Sequence, residues 1–132
     1  MLIVLLVEDS QADADLLKAY LAEAMGSNAY SFRHETGLSA AREAIASGLH
    51  PHVILLDLTL PDSAGVGTVE RMASVAPGVR IIVTTGQEDH VLAVACIAAG
   101  AQDYLHKDGL DAASLRRAVR YGVGAYREQL MR

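Results

Sequence analysis

The chain has 132 residues, 52% of them apolar, and a net charge of −5 at neutral pH. That length suits one domain with a substantial core, and that apolar share excludes a disordered chain. The acidic balance, with no basic block, disfavours direct nucleic-acid contact, which needs clustered Lys or Arg. Trp is absent and Phe occurs once, so the interior must be aliphatic and rich in alanine. The single cysteine, Cys96, cannot form an internal disulfide and fits a reducing compartment, so a cytoplasmic protein is expected.

Residues 2–7 are a continuous apolar run that stops at Glu8-Asp9. The run is too short to cross a bilayer and has no basic region before it, so neither a membrane span nor a targeting segment is expected. Ser10 or Asp9 can cap a helix over 11–25, which places Leu16, Leu17, Tyr20, Leu21 and Ala24 on one face. A short edge strand is expected over 29–34 and an alanine-rich helix over 37–47. Val53–Leu56 is a second buried run, and it delivers Asp57 to a loop that continues through Thr59, Pro61 and Asp62. A third helix is expected over 63–75, with Gly65 and Gly67 loosening its first turn. A third apolar run over 79–85 ends in Thr84-Thr85 and is closed by Gly86. A fourth helix is expected over 88–99, a short strand over 102–105 running into His106-Lys107, and a long last helix over about 111–130.

This alternation predicts a five-stranded parallel sheet with helices on both faces, in the flavodoxin-like strand order 2-1-3-4-5. In that order the first and third strands are neighbours. Glu8, Asp9 and Asp57 then converge at one edge of the sheet, with Thr85 and Lys107 at the ends of the strands beyond Asp57. Three carboxylates so placed repel one another unless a cation sits among them. Oxygen-only donors at a shallow site suit Mg²⁺, with Mn²⁺ as an alternative. Such a site suits a carboxylate that accepts a phosphoryl group. Asp57 would be the nucleophile, Asp9 and Asp57 with help from Glu8 would hold the metal, and Lys107 and Thr85 would take the remaining phosphoryl oxygens.

On these residues the chain resembles the receiver domain of two-component response regulators. The likeness rests on Val7-Glu8-Asp9, the segment 55–62, Gly65, Val83-Thr84-Thr85-Gly86, the segment 100–105 and Lys107. It implies that Asp57 is the phosphoacceptor, that Glu8 and Asp9 are the acidic pair, and that Thr59 offers its backbone carbonyl to the metal. It also implies that Thr85 and Tyr104 form a switch pair. The donor would be a sensor histidine kinase or a histidine phosphotransfer protein. The whole of 1–132 would be one receiver domain that promotes only its own phosphorylation and dephosphorylation. Its last helix either leads toward an output module or ends a stand-alone receiver. The family usually has proline after the lysine, whereas Asp108 stands here. A non-proline cis bond costs about 3–4 kcal/mol, which leaves the isomer of the Lys107–Asp108 bond open.

A phosphoryl group on Asp57 would draw the Thr85 hydroxyl and its loop inward. The space so vacated would admit Tyr104, whose ring would otherwise face solvent. The signal would be read on the face of the fourth helix, fifth strand and last helix. No charged residue occurs over 91–102, so some of Leu92, Ala93, Cys96 and Ile97 are expected to be partly exposed. Homodimerisation or partner docking is expected there. The five histidines show no ligand spacing, and His50 and His52 read as solvated loop residues. A haloacid-dehalogenase-type phosphatase would need a second acid at Thr59 and a cap domain. A flavodoxin-like cofactor binder would need a hydroxyl- and glycine-rich loop where Glu8-Asp9 stands.

Overall fold

The computed structural model describes residues 2–26 and 30–121. Its centre is β3 (Val53–Leu56), an unbroken Val-Ile-Leu-Leu run whose four side chains are all buried. β1 (Leu2–Val7) pairs with it on one side and β6 (Arg80–Thr85) on the other, both in parallel. β2 (Tyr30–Glu35) adds to the outer edge of β1, and β7 (Asp103–His106) to the outer edge of β6. The order β2-β1-β3-β6-β7 is the expected 2-1-3-4-5 once the small hairpin described below is set aside.

Successive side chains of a strand point to opposite faces, so each apolar strand feeds two cores. Leu5, Val7, Ile54, Leu56, Ile81 and Val83 pack under α2 (Leu38–Ala46), α3 (Val66–Val75) and α4 (His90–Ala98). Val4, Leu6, Val53, Leu55 and Ile82 pack under α1 (Gln11–Met25) and α5 (Ala112–Tyr121). The chain therefore crosses from one face of the sheet to the other between α1 and α2, and returns only at α5. The Arg80 guanidinium donates to the Val119 carbonyl and ties α5 to the start of β6. The part of the expected last helix beyond Tyr121, with Tyr126, Arg127 and Leu130, lies outside the described residues, as does Ala29 at the expected start of the edge strand.

The segment after Asp57 departs from expectation. Thr59–Leu60 (β4) and Ser63–Ala64 (β5) form a two-rung antiparallel hairpin, and α3 begins only at Val66. Gly65 explains the delay. It holds φ 74°, a left-handed conformation that glycine adopts without strain, and its N–H donates to the Leu58 carbonyl at 3.0 Å. At the tip of the hairpin, Asp62 turns back onto α2. Its two carboxylate oxygens accept the N–H groups of Leu38 and Ser39, each at 2.9 Å. The N-cap residue of that helix is Gly37, which has no side chain to do this. A Cβ on Gly37 would stand 3.2 Å from Asp62 Oδ1, so the glycine also makes room for the carboxylate. The N–H groups of Ser39 and then Leu38 hold the Asp62 carboxyl below its ordinary pKa. The cap is therefore present above that lowered pKa and is lost as pH falls through it. Asp62→Ala is expected to lower stability by about 1 kcal/mol, read as a lower urea midpoint at unchanged m-value. An unchanged midpoint would refute the cap.

One further expectation is refined, and one point left open is answered. His52 is not merely solvated, since its Nδ1 accepts the N–H of Ile3 at 2.9 Å and finishes the end of β1. The Lys107–Asp108 peptide is trans. Among the described residues no helix is long and apolar enough to cross a membrane.

Candidate functional site

Parallel strands all end at the same edge of their sheet, and here the edge is acidic. The ladder of main-chain hydrogen bonds continues one step past the strands. Glu8 N–H donates to the Glu35 carbonyl and Asp57 N–H to the Val7 carbonyl, each at 3.0 Å. His34 Nε2 meets the Glu8 carbonyl at 2.7 Å. The backbone that carries the acids is therefore fixed before any side-chain contact is made. Glu8, Asp9 and Asp57 each offer a carboxylate oxygen within 4.8 Å of the others. Glu8 and Asp57 are buried and Asp9 is exposed.

Among the described residues one cation answers them directly. The Lys107 ammonium donates to Glu8 Oε1 and, at 2.8 Å, to Asp13 Oδ2, and it lies 3.5 Å from Asp57 Oδ2. Desolvation alone would lower the lysine's pKa. Its hydrogen bonds to Asp13 and Glu8, with the charge of Asp57, outweigh that and hold it above its ordinary value. Glu8 behaves in the opposite sense. Burial pushes its carboxyl up to about 7, the neighbouring Asp57 adds to the rise, and Lys107 opposes it. Its second oxygen, Oε2, accepts the N–H of Ser10 at 3.3 Å.

The donor set fits a small divalent cation. All three side chains are carboxylates, the hard oxygen ligands that Mg²⁺ and Mn²⁺ prefer, and each offers an oxygen within 4.8 Å of the others. Glu8 gives both its oxygens to Lys107 and Ser10, so Asp9 and Asp57 are the more available ligands. Asp57 Oδ1 receives the Thr59 N–H at 3.4 Å, which holds Thr59 beside the acids.

The remaining expected residues are distributed less simply. Thr85 is buried at the end of β6, and its hydroxyl accepts the Gln87 N–H at 3.2 Å rather than reaching Asp57. Tyr104 was expected to face solvent. Instead its ring lies inward with Val83, Ala93, Cys96 and Ala101. The physical reason is a polar partner at the far end of an apolar slot: its hydroxyl donates to the Gln87 carbonyl at 2.7 Å. His106 Nε2 lies 3.1 Å from the Gly86 carbonyl, so the loop after β6 is held by two side chains of β7.

Of the four expected contact residues on α4, Leu92 and Ile97 are partly exposed as expected, and Ala93 and Cys96 need correction. Ala93 and Cys96 are fully buried and belong to the core under the sheet, while Leu92 and Ile97 are half-buried. The outward positions are Val91, 77% exposed, and Val94, 43% exposed. Burial also pushes the Cys96 thiol up to about 11, which keeps it an unreactive thiol near neutral pH.

Sequence reasoning missed Asp13. Its spacing from Ser10 reads as a helix cap, and nothing local marks it as a partner of a lysine 94 residues away.

Comparison with known proteins agrees with this geometry. The family model described as "Response regulator receiver domain" matches residues 4–120. The photosynthetic apparatus regulatory protein RegA of Cereibacter sphaeroides is 39% identical over 105 residues, which cover 79% of this chain and 54% of RegA. The chain thus spans about half the length of that relative. The chemotaxis protein CheY of Thermotoga maritima is 26% identical over 106 residues, 79% of this chain and 83% of CheY. The crystal structure of a signal receiver domain from Vibrio parahaemolyticus superposes with a TM-score of 0.78 at 29% identity, covering 98% of this chain and 95% of that one. The family match runs from the first strand into the last described helix without a break, and the chain accordingly belongs to the response regulator receiver domains of two-component systems.

Proposed function

We propose that Asp57 is the phosphoacceptor of a receiver that takes its phosphoryl group from a phosphohistidine. The observation that carries this reading is the placement of Asp57. It is a buried carboxylate between two further acids, with the Lys107 ammonium 3.5 Å from its Oδ2. In the transfer, an Asp57 oxygen forms a bond to phosphorus as the P–N bond of the donor breaks. The imidazole keeps that electron pair and is protonated from solvent. Hydrolysis returns orthophosphate and the free carboxylate. Asp9 and Asp57, supported by Glu8 and the Thr59 carbonyl, would hold Mg²⁺ or Mn²⁺, which supplies positive charge to the equatorial phosphoryl oxygens. Lys107 and the Thr85 hydroxyl would take the others.

The donor is a sensor histidine kinase or a histidine phosphotransfer protein, and the reaction runs in the cytoplasm. Thr85 and Tyr104 relay the change to the face of α4, β7 and α5. That face meets a second copy of the chain or a partner through its exposed apolar positions, Val91 and Val94. The protein is a signalling domain that acts catalytically only on itself, across one domain spanning 1–132.

Incubation with acetyl phosphate and Mg²⁺, followed by intact mass measurement, tests the central claim. A gain of one phosphoryl group that requires the divalent ion and disappears in Asp57→Asn is the expected result. Folded protein that gains nothing would overturn the reading.

A further inference from the structure

The Lys107 ammonium is shared unequally. It has three N–H donors. Glu8 and Asp13 receive hydrogen bonds, while Asp57 stands further off at 3.5 Å. Asp13 occupies the third position of α1, three residues after the N-cap Ser10. Ser-x-x-Asp at a helix start ordinarily closes a reciprocal box, in which the acid reaches back to the N–H of the cap residue. Only half of that box forms here. Ser10 Oγ accepts the Asp13 N–H at 3.2 Å, but the Ser10 N–H goes to Glu8 Oε2. The Asp13 carboxylate is turned from its own helix toward Lys107. The lysine has little room to follow any other partner, because its side chain is mostly buried and lies in a narrow cleft shared with Leu16, Leu17, Tyr20 and Leu110.

We propose that Asp13 is a positioning residue for Lys107, a reading that rests on Asp57 being the phosphoacceptor. Asp13 draws the ammonium toward α1. That keeps the lysine from closing onto the Asp57 carboxylate and leaves an Asp57 oxygen open to the incoming phosphorus. The same anchorage leaves the ammonium one short movement from the phosphoryl oxygens once the bond has formed. Without Asp13, the carboxylates within reach of the lysine are Glu8 and Asp57. The ammonium then pairs with Asp57, and that pair must break before transfer.

The test is the rate of phosphoryl uptake from acetyl phosphate at saturating Mg²⁺ in the full chain, with folding checked by circular dichroism. Asp13→Asn preserves the side chain's size and is expected to slow uptake about threefold or more, the scale of a partly exposed charge pair. Lys107→Met leaves the nucleophile in place. In that background Asp13→Asn is expected to change the rate by less than about twofold, because its effect runs through the lysine. A smaller effect in the wild-type background, or an effect of twofold or more without the lysine, overturns the proposal. Wild-type protein that takes up no phosphoryl group overturns the phosphoacceptor reading instead, so the two failures are distinct.

Discussion

Asp57→Asn is expected to end phosphoryl uptake outright while leaving the fold intact. The amide is nearly the same size as the carboxylate, so the packing at the carboxyl end of β3 is preserved. Asparagine can still accept the Thr59 N–H that Asp57 Oδ1 receives at 3.4 Å. What is lost is an anionic oxygen nucleophile, and a neutral amide oxygen is a far poorer one. The rate should fall by about three orders of magnitude or more, below detection by intact mass. Glu8 is unsuited to substitute, because one of its oxygens is held by Lys107 and the other by the Ser10 N–H. Asp9 is exposed and lies off the lysine. The variant should also respond less to Mg²⁺ in urea unfolding, since the site keeps two of its three carboxylates. Uptake by Asp57→Asn at the wild-type rate would place the acceptor elsewhere and dismantle the account of the site.

The second large effect is a dependence of stability on pH in protein freed of divalent metal. The Glu8 carboxyl is pushed from an ordinary 4.5 to about 7, chiefly by burial. Between those values the folded protein keeps a proton that the unfolded chain has released. Stability contributed by this group is therefore complete below about pH 4.5 and falls as pH rises toward 7, by on the order of 3 kcal/mol. Urea unfolding in the presence of a chelator, from pH 5 to 7.5, measures it. The informative quantity is the difference between wild type and Glu8→Gln, which should lack this component while every other group is common to both. Identical pH profiles in the two proteins would show that Glu8 is not held protonated. Mg²⁺ added near pH 7 should restore stability in proportion to its occupancy, by about 2.7 kcal/mol at a hundredfold excess over its dissociation constant.

The acidic edge was legible in the linear order because a parallel sheet makes it so. Each apolar run ends in a polar residue, and crossover connections bring all those ends to one side. Glu8, Asp9, Asp57 and Lys107 could be grouped from their positions after apolar runs alone, whereas the choice of Thr85 over Thr84 rested on the family resemblance. The outer face of α4 was not legible. After His90 its residues are apolar all round, so no polar stripe marks the side that faces water. Only its seat on the sheet buries Ala93 and Cys96 and turns Val91 and Val94 outward. The hairpin at β4 and β5 was missed because Ser63 and Ala64 carry no strong preference, and the φ of Gly65 decides where α3 begins.

By itself the sequence determined the sheet, its strand order and the chemistry gathered at its carboxyl edge, because hydrophobic period and chain order are local properties. Tertiary structure alone decided which groups share a charge. Asp13 could have closed the cap of α1, but the Lys107 ammonium lies within reach and Glu8 has already taken the Ser10 N–H. Asp62 could have been a plain turn residue, but the start of α2 offers two N–H groups and Gly37 leaves room. In each case a short polar side chain had two partners available, one near in sequence and one near in space. For Asp62 the choice fell to a helix end that was otherwise left uncapped, and for Asp13 to a mostly buried ammonium that keeps a donor free after its bond to Glu8.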